Sequence, residues 1–216
     1  PTAYGALRWK AAIQPGEVLL VHGAGGGSGL TAIEIGKAMG ATVIASAGGA
    51  DKLKAAQEAG ADHLIDYRKE DIRTKVLDLT GGRGADVIYD PVGGSAFDAS
   101  LRCVAPEGRI IPMGFASGTI PQIPANILLV KNATVIGFYY GYWNGWGGKA
   151  APSPKEAAAL AKRRAMVAAA QTEMTRWFVE GKLKATVAAT FDLADWVKGF
   201  KLIEERTVVG KAVLVP

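Results

Sequence analysis

The chain has 216 residues, 49% of them hydrophobic, and a net charge of +5. This suffices for one or two packed domains and excludes a disordered or fibrous polypeptide. No apolar run approaches the roughly 18 residues that a bilayer span needs, and nothing at the start has the form of a signal peptide, so a cytoplasmic protein without a membrane partner is expected. A single cysteine, Cys103, excludes an internal disulfide and a cysteine-rich zinc cluster, and the two histidines, His22 and His63, point to no metal site.

The chain opens on Pro1 with a helix expected over 2–12. Glu17-Val18-Leu19-Leu20-Val21 reads as a buried strand, and 30–39 has helical apolar spacing. Between them runs His22-Gly23-Ala24-Gly25-Gly26-Gly27-Ser28-Gly29, a turn almost without side chains. A helix N-terminus aims free N–H groups and a positive dipole end at such a turn, and glycines let an anion approach the backbone. Strict G-x-G-x-x-G fails in every register. The best fit is Ala24-x-Gly26-x-x-Gly29, so placement between strand and helix carries the dinucleotide reading.

Strands then follow at 41–46, 62–66, 86–90, 108–114 and 133–138, with helices at 51–58, 71–80 and 97–104. This alternation implies right-handed crossovers and an α/β fold: a doubly wound parallel sheet of Rossmann type in the order 3-2-1-4-5-6, with a ligand crevice between strands one and four. Past residue 141 the pattern changes. A Gly/Trp-rich loop and Pro152-Ser153-Pro154 lead to a helix over 155–180, a strand at 186–191, a helix at 196–205 and a strand at 211–215. The expected division is a dinucleotide-binding domain at 1–150 and, at 151–216, a C-terminal segment of a second domain whose remainder is absent. The positive residues are scattered. The one dense run, Lys162-Arg163-Arg164, reads as a solvated helix face, and the aromatic stretch 138–146 lacks interleaved basic residues, so no nucleic-acid partner is expected.

In NAD-binding turns an acid about 20 residues past the glycines accepts hydrogen bonds from the adenosine ribose. Here Ile44-Ala45-Ser46-Ala47-Gly48-Gly49-Ala50 contains none. Such a carboxylate would repel a ribose 2′-phosphate by about 4 kcal/mol for unit charges about 4 Å apart at an effective dielectric of about 20. Small residues remove that repulsion, Ser46 offers a hydrogen bond, and Lys52 offers charge, although Asp51 stands beside it and an ordinary surface lysine is the alternative. The cofactor expected is NADP(H).

Taken together, Pro1-Thr2-Ala3-Tyr4, Pro15-Gly16-Glu17, the glycine turn, Gly60-Ala61-Asp62-His63-Leu64-Ile65-Asp66-Tyr67, Tyr89-Asp90-Pro91-Val92-Gly93-Gly94, Gly108-Arg109 and the closing Gly210-Lys211-Ala212-Val213-Leu214-Val215-Pro216 resemble the medium-chain dehydrogenase/reductase superfamily, in its zinc-free, zeta-crystallin-like quinone oxidoreductase branch. The resemblance implies Ala24, Gly26, Gly27 and Ser28 along the pyrophosphate and Gly48, Lys52 and Tyr67 around the 2′-phosphate. It implies Val92, Met113, Gly114 and Phe115 along the channel from adenosine to nicotinamide, Thr2 and Tyr139 near the nicotinamide, and Arg206 at the cofactor phosphates. It also implies an N-terminal GroES-like domain missing here, which the last segment would complete, and a homodimer through the strand at 135–140. The activity it implies for the intact parent is hydride transfer from NADPH to a quinone or similar conjugated carbonyl, with a 2-enoyl thioester or alkenal reductase as the alternative. The fragment alone is expected to be inactive, a nucleotide-binding and dimerising module. No Ser/His/Asp, Cys/His or metal constellation is visible, so the catalytic residues are unknown.

Overall fold

A computed structural model describes residues 1–146 and 153–216. Pro152 and the expected domain boundary at 150 therefore lie outside the described residues. The chain runs through α1 (Thr2–Tyr4), a π-helix (Gly5–Lys10), β1 (Val18–His22), α2 (Gly27–Ala38), β2 (Thr42–Ala47), α3 (Ala50–Glu58), β3 (His63–Asp66), α4 (Ile72–Leu79), β4 (Ala85–Asp90), α5 (Ser95–Cys103) and β5 (Val104–Pro112). It continues through α6 (Ala125–Lys131), β6 (Thr134–Val135), α7 (Tyr140–Trp143), α8 (Pro154–Val179), β7 (Val187–Asp192), α9 (Trp196–Glu204) and β8 (Lys211–Val215).

The first six strands form one sheet in the order β3-β2-β1-β4-β5-β6, with every paired neighbour parallel, as expected. Its strands are apolar on both faces because helices cover both. Leu19, Val21, Val43, Ala45, Val87 and Tyr89 pack with Ile33 and Ile35 of α2, with Leu7 of the N-terminal segment, and with Met174 and Trp177 of α8. Leu20, Ile44, Ile88 and Ile110 point the other way and meet Val76 of α4 and Phe97 and Leu101 of α5. Adjacent positions thus divide between two cores, which pins the register.

Four details depart from expectation. The helix at 2–12 ends at Lys10, and its last part is a π-helix closed by Ala11 N–H to Ala6 C=O, with Ala12 at φ +48°. The strand at 108–114 begins directly after α5, at Val104. The strand at 133–138 shrinks to Thr134–Val135 at the sheet edge, where a single neighbour, β5, pairs with it. A helix stands at Ala125–Lys131, flanked by Pro124 and by Asn132 at φ +51°. The aromatic stretch turns partly inward: Trp143 stacks on Trp9 with ring centroids 4.5 Å apart, while Tyr139 and Tyr142 stay exposed.

β7 and β8 pair with each other in a separate parallel sheet, backed by α9. Backbone contacts tether this unit to the nucleotide turn: Gly210 N–H donates to Gly25 C=O at 3.0 Å, and Gly26 and Gly210 form a parallel bridge. A further tether is the buried Glu34 of α2, whose Oε1 accepts from Lys184 N–H at 3.2 Å. Burial raises the Glu34 carboxyl above its ordinary value, against the opposing Lys184 contact. The native state therefore holds that proton more tightly than the unfolded chain. The stabilising contribution is complete below the unfolded pKa and is lost as pH rises through the folded one. Glu34→Gln keeps an acceptor for Lys184 and removes the buried charge, so its melting temperature should equal or exceed the parent's at pH 7, with the gain shrinking at pH 4. Melting curves across that range check the sign, and a Glu34→Gln variant that loses stability at pH 7 would contradict it.

Candidate functional site

A crevice of about 730 Å³ opens at the carboxyl ends of β1, β2 and β4, where the strand order reverses and doubly wound sheets hold their ligands. Its volume falls in the ordinary range of ligand sites, about 300–1,000 Å³. Gly23, Gly25 and Gly26 form one wall, Ser46, Ala47 and Gly48 another, and Val92, Ser95, Ala96 and Ala99 a third. Ile203, Arg206 and Val208 bring the C-terminal unit to the rim.

The turn is shorter than the sequence suggested, because α2 begins at Gly27, so Gly27, Ser28 and Gly29 already form its first turn. Two glycines here are demanded by close approach. A Cβ on Gly25 would lie 2.5 Å from Lys52 Cβ, and one on Gly29 would lie 2.7 Å from Ala24 Cα. Ser28 Oγ and Tyr89 Oη are 2.8 Å apart, which joins the helix start to β4.

Three buried polar residues underlie the crevice at neighbouring strand ends: Ser46 on β2, His22 on β1 and Asp90 on β4. Ser100 Oγ donates to Ala96 C=O at 2.8 Å, so its one proton is engaged and it accepts from His22 Nε2 at 2.9 Å. Burial lowers the His22 pKa, with Asp90 acting the other way. His22 is therefore neutral, with a lone pair on Nδ1. His22 Nδ1, Ser46 Oγ and Asp90 Oδ2 have no hydrogen-bond partner among the described residues. Asp90 spends its other oxygen on Val92 N–H and Gly93 N–H, which shapes the turn after β4.

The charges at the mouth are cationic. Lys52 Nζ donates to Arg206 C=O at 2.7 Å, Arg206 Nη2 donates to Ala116 C=O at 3.3 Å, and Arg68 projects beside Gly48 and Gly49. None of the three has a carboxylate within ion-pair distance among the described residues. The nearby acids are engaged elsewhere: Glu70 pairs with Lys75, and Asp71 caps α4 through Thr74. Burial first, then Arg68 and Arg206, push the Lys52 ammonium below its ordinary value.

Of the residues expected at the site, Gly26, Gly48, Lys52, Tyr67, Val92 and Arg206 line the crevice. Ala24 is fully buried behind the turn, and Gly27 and Ser28 sit at the start of α2. Met113, Gly114 and Phe115 follow β5, where Met113 N–H donates to Asp90 C=O and a Cβ on Gly93 would touch the Phe115 ring. Thr2 and Tyr139 are exposed and do not line the crevice. The sequence reading missed Arg68 and Lys211. A Cβ on Gly27 would lie 3.3 Å from Lys211 Nζ, so this amine stands at the N-terminus of α2. The Gly210-Lys211 pair was visible, but nothing in the sequence tied it to a turn so far upstream.

A switch-point crevice, a glycine turn feeding a helix N-terminus, and cations without carboxylate partners beside the acid-free end of β2 define a dinucleotide-binding domain. The profile of the zinc-binding dehydrogenase family matches residues 27–152, and the chain belongs to that family, in the quinone oxidoreductase-like part of the medium-chain dehydrogenase/reductase superfamily. It is 39% identical over 214 residues to quinone oxidoreductase-like protein 2 homolog of Nematostella vectensis, covering 99% of this chain and 54% of that protein. It is 28% identical over 219 residues to a 2-haloacrylate reductase of Burkholderia sp, covering 100% of this chain and 60% of that one. The crystal structure of Escherichia coli quinone oxidoreductase complexed with NADPH superposes with a TM-score of 0.81 at 30% identity, covering 100% of this chain and 62% of that one. The chain thus spans little more than half the length of these relatives. Among the described residues no group of three or more His, Cys, Asp or Glu is placed to hold a metal ion, and Cys103 is buried with its thiol pushed up to about 12 by desolvation, so these residues do not fit a zinc centre. No helix among the described residues is long and apolar enough to cross a membrane.

Proposed function

We propose that this chain is the NADP(H)-binding part of an oxidoreductase that reduces a quinone or similar conjugated carbonyl. The observation that carries the reading is the set of cations without carboxylate partners around the acid-free end of β2, beside a glycine turn that forms one wall of the crevice. The orphaned Ser46 Oγ fits the same group, since a ribose hydroxyl or phosphate oxygen satisfies it. The E. coli relative complexed with NADPH supports the cofactor assignment. When bound, the cofactor supplies a hydride from its nicotinamide ring. The chain's own part is positional. Gly25 and Gly26, on the crevice wall, admit the pyrophosphate toward the α2 N-terminus that Gly27 opens, Lys211 adds charge beside Gly27, and Lys52, Tyr67 and Gly48 hold the adenosine end. Thr2, Tyr139, Met113, Gly114 and Phe115 are proposed for the nicotinamide side.

Fluorescence titration with NADPH and NADH tests this: NADPH should bind at least about 10-fold tighter, a difference of about 1.4 kcal/mol. Tighter NADH binding would overturn the 2′-phosphate assignment, and binding of neither would sink the cofactor reading. A second reading, reduction of an activated carbon–carbon double bond, draws support from the likeness to a 2-haloacrylate reductase. Rates of the full-length protein with 1,4-benzoquinone against a crotonyl thioester separate the two. A homodimer along the β6 edge is also proposed, supported by the exposed Leu129 and Val130 on the adjoining α6. Sedimentation as a monomer at micromolar concentration would refute it.

A further inference from the structure

The resemblance carries Arg206 to the cofactor phosphates, yet in the structure that guanidinium donates across the crevice to Ala116 C=O while the Arg206 carbonyl is held by Lys52. Arg206 spans the mouth as a strap between the C-terminal unit and the segment after β5. The guanidinium at the end of β2 belongs instead to Arg68. A Cβ on Gly48 would lie 2.8 Å from Arg68 Nε and 2.7 Å from Tyr67 Oη, and one on Gly49 would lie 3.3 Å from Arg68 Nη1. Gly48 and Gly49 are therefore the floor of a small cradle walled by Tyr67 and Arg68, with Lys52 lining the same crevice as Gly48. Asp66, two residues before Arg68, spends Oδ1 on Arg68 N–H at 3.1 Å and on Gly49 N–H at 3.5 Å, and its Oδ2 lies 3.9 Å from Lys69 Nζ. Its carboxylate thus shapes the loop that carries Arg68 and leaves the guanidinium without an ion pair among the described residues. A planar fork and a lysine held apart without a counter-ion match a doubly charged phosphate with several acceptor oxygens.

We propose that Arg68 determines cofactor specificity by binding the ribose 2′-phosphate together with Lys52 and Tyr67, a role that rests on the NADP(H) reading above. Arg206 acts on a different part of the crevice, its strap. The test is calorimetric titration of this chain with adenosine 2′,5′-bisphosphate and with adenosine 5′-monophosphate, which present the adenosine end with and without the discriminating phosphate. Arg68→Gln should weaken the bisphosphate at least about 10-fold and leave the monophosphate within about 2-fold. Arg68 is exposed and its side chain makes no hydrogen bond among the described residues, so the variant should melt as the parent does. An unchanged bisphosphate affinity, or equal weakening of both probes, overturns the role of Arg68 while leaving the NADP(H) reading intact. A parent chain that does not distinguish the two probes overturns that reading, and the proposal with it.

Discussion

Gly29→Val should cost at least about 3 kcal/mol of stability and abolish NADPH binding. Gly29 lies in the first turn of α2, where replacing glycine normally gains a few tenths to about 1 kcal/mol of helix propensity. Here that gain is overwhelmed. A Cβ at Gly29 would press on Gly23 O and lie 2.7 Å from Ala24 Cα, which are backbone atoms rather than the mobile end of a side chain. Neither can yield, because Gly23 C=O accepts Gly26 N–H at 3.0 Å and Ala24 N–H donates to Ser46 C=O at 3.1 Å. Any relief opens the turn and detaches it from β2. Overpacking of this kind costs about 1–3 kcal/mol even where neighbours can shift. Gly36→Ala in the same helix is the control: its Cβ would lie 2.5 Å from Leu19 Cδ2, the end of a side chain, so the loss should be smaller. Chemical denaturation of both variants measures the difference. A Gly29→Val variant as stable as Gly36→Ala would refute the account.

Lys52→Glu should weaken NADPH binding at least about 100-fold with little loss of stability. With Lys52 at the 2′-phosphate as proposed, the reversal replaces an attraction by a repulsion, each about 4 kcal/mol at about 4 Å and an effective dielectric of about 20. Partial exposure and salt reduce the sum to about 2.8 kcal/mol or more, or about 100-fold. NADH, without that phosphate, should lose much less. The substitution also removes the Lys52–Arg206 hydrogen bond, so amide exchange in the loop before β8 should quicken even without cofactor. Parallel losses for NADPH and NADH would remove Lys52 from the 2′-phosphate site.

How far the sequence foretold this arrangement depends on where each signal is encoded. The β1-turn-α2 unit and the six-strand order were legible because apolar runs, glycines and alternation are local signals, and the doubly wound topology follows from them. The π-helix at Gly5–Lys10 was not, since one shifted hydrogen bond leaves no mark on composition. The shortness of β6 was not legible either: a strand was expected at 133–138, but with a partner on one side only it is paired at Thr134–Val135 alone. Gly48 and Lys52 could be found from the missing acid after β2. Arg68 could not, because it reaches Gly48 from the end of the neighbouring strand, and side chains that converge from different elements have no spacing to read. Lys211 was hidden for the same reason.

The bond between Gly210 N–H and Gly25 C=O joins two points separated by nearly the whole chain. Closing so long a loop is slow compared with forming the βαβ units beneath it, since non-local contacts give no return until their loop entropy has been met. The nucleotide turn, synthesised well before residues 205–215, is therefore among the last segments of this chain to be braced. A chain emerging from the ribosome holds a folded sheet before it holds a finished cofactor site, and cofactor present during refolding should accelerate only the final docking of residues 205–215.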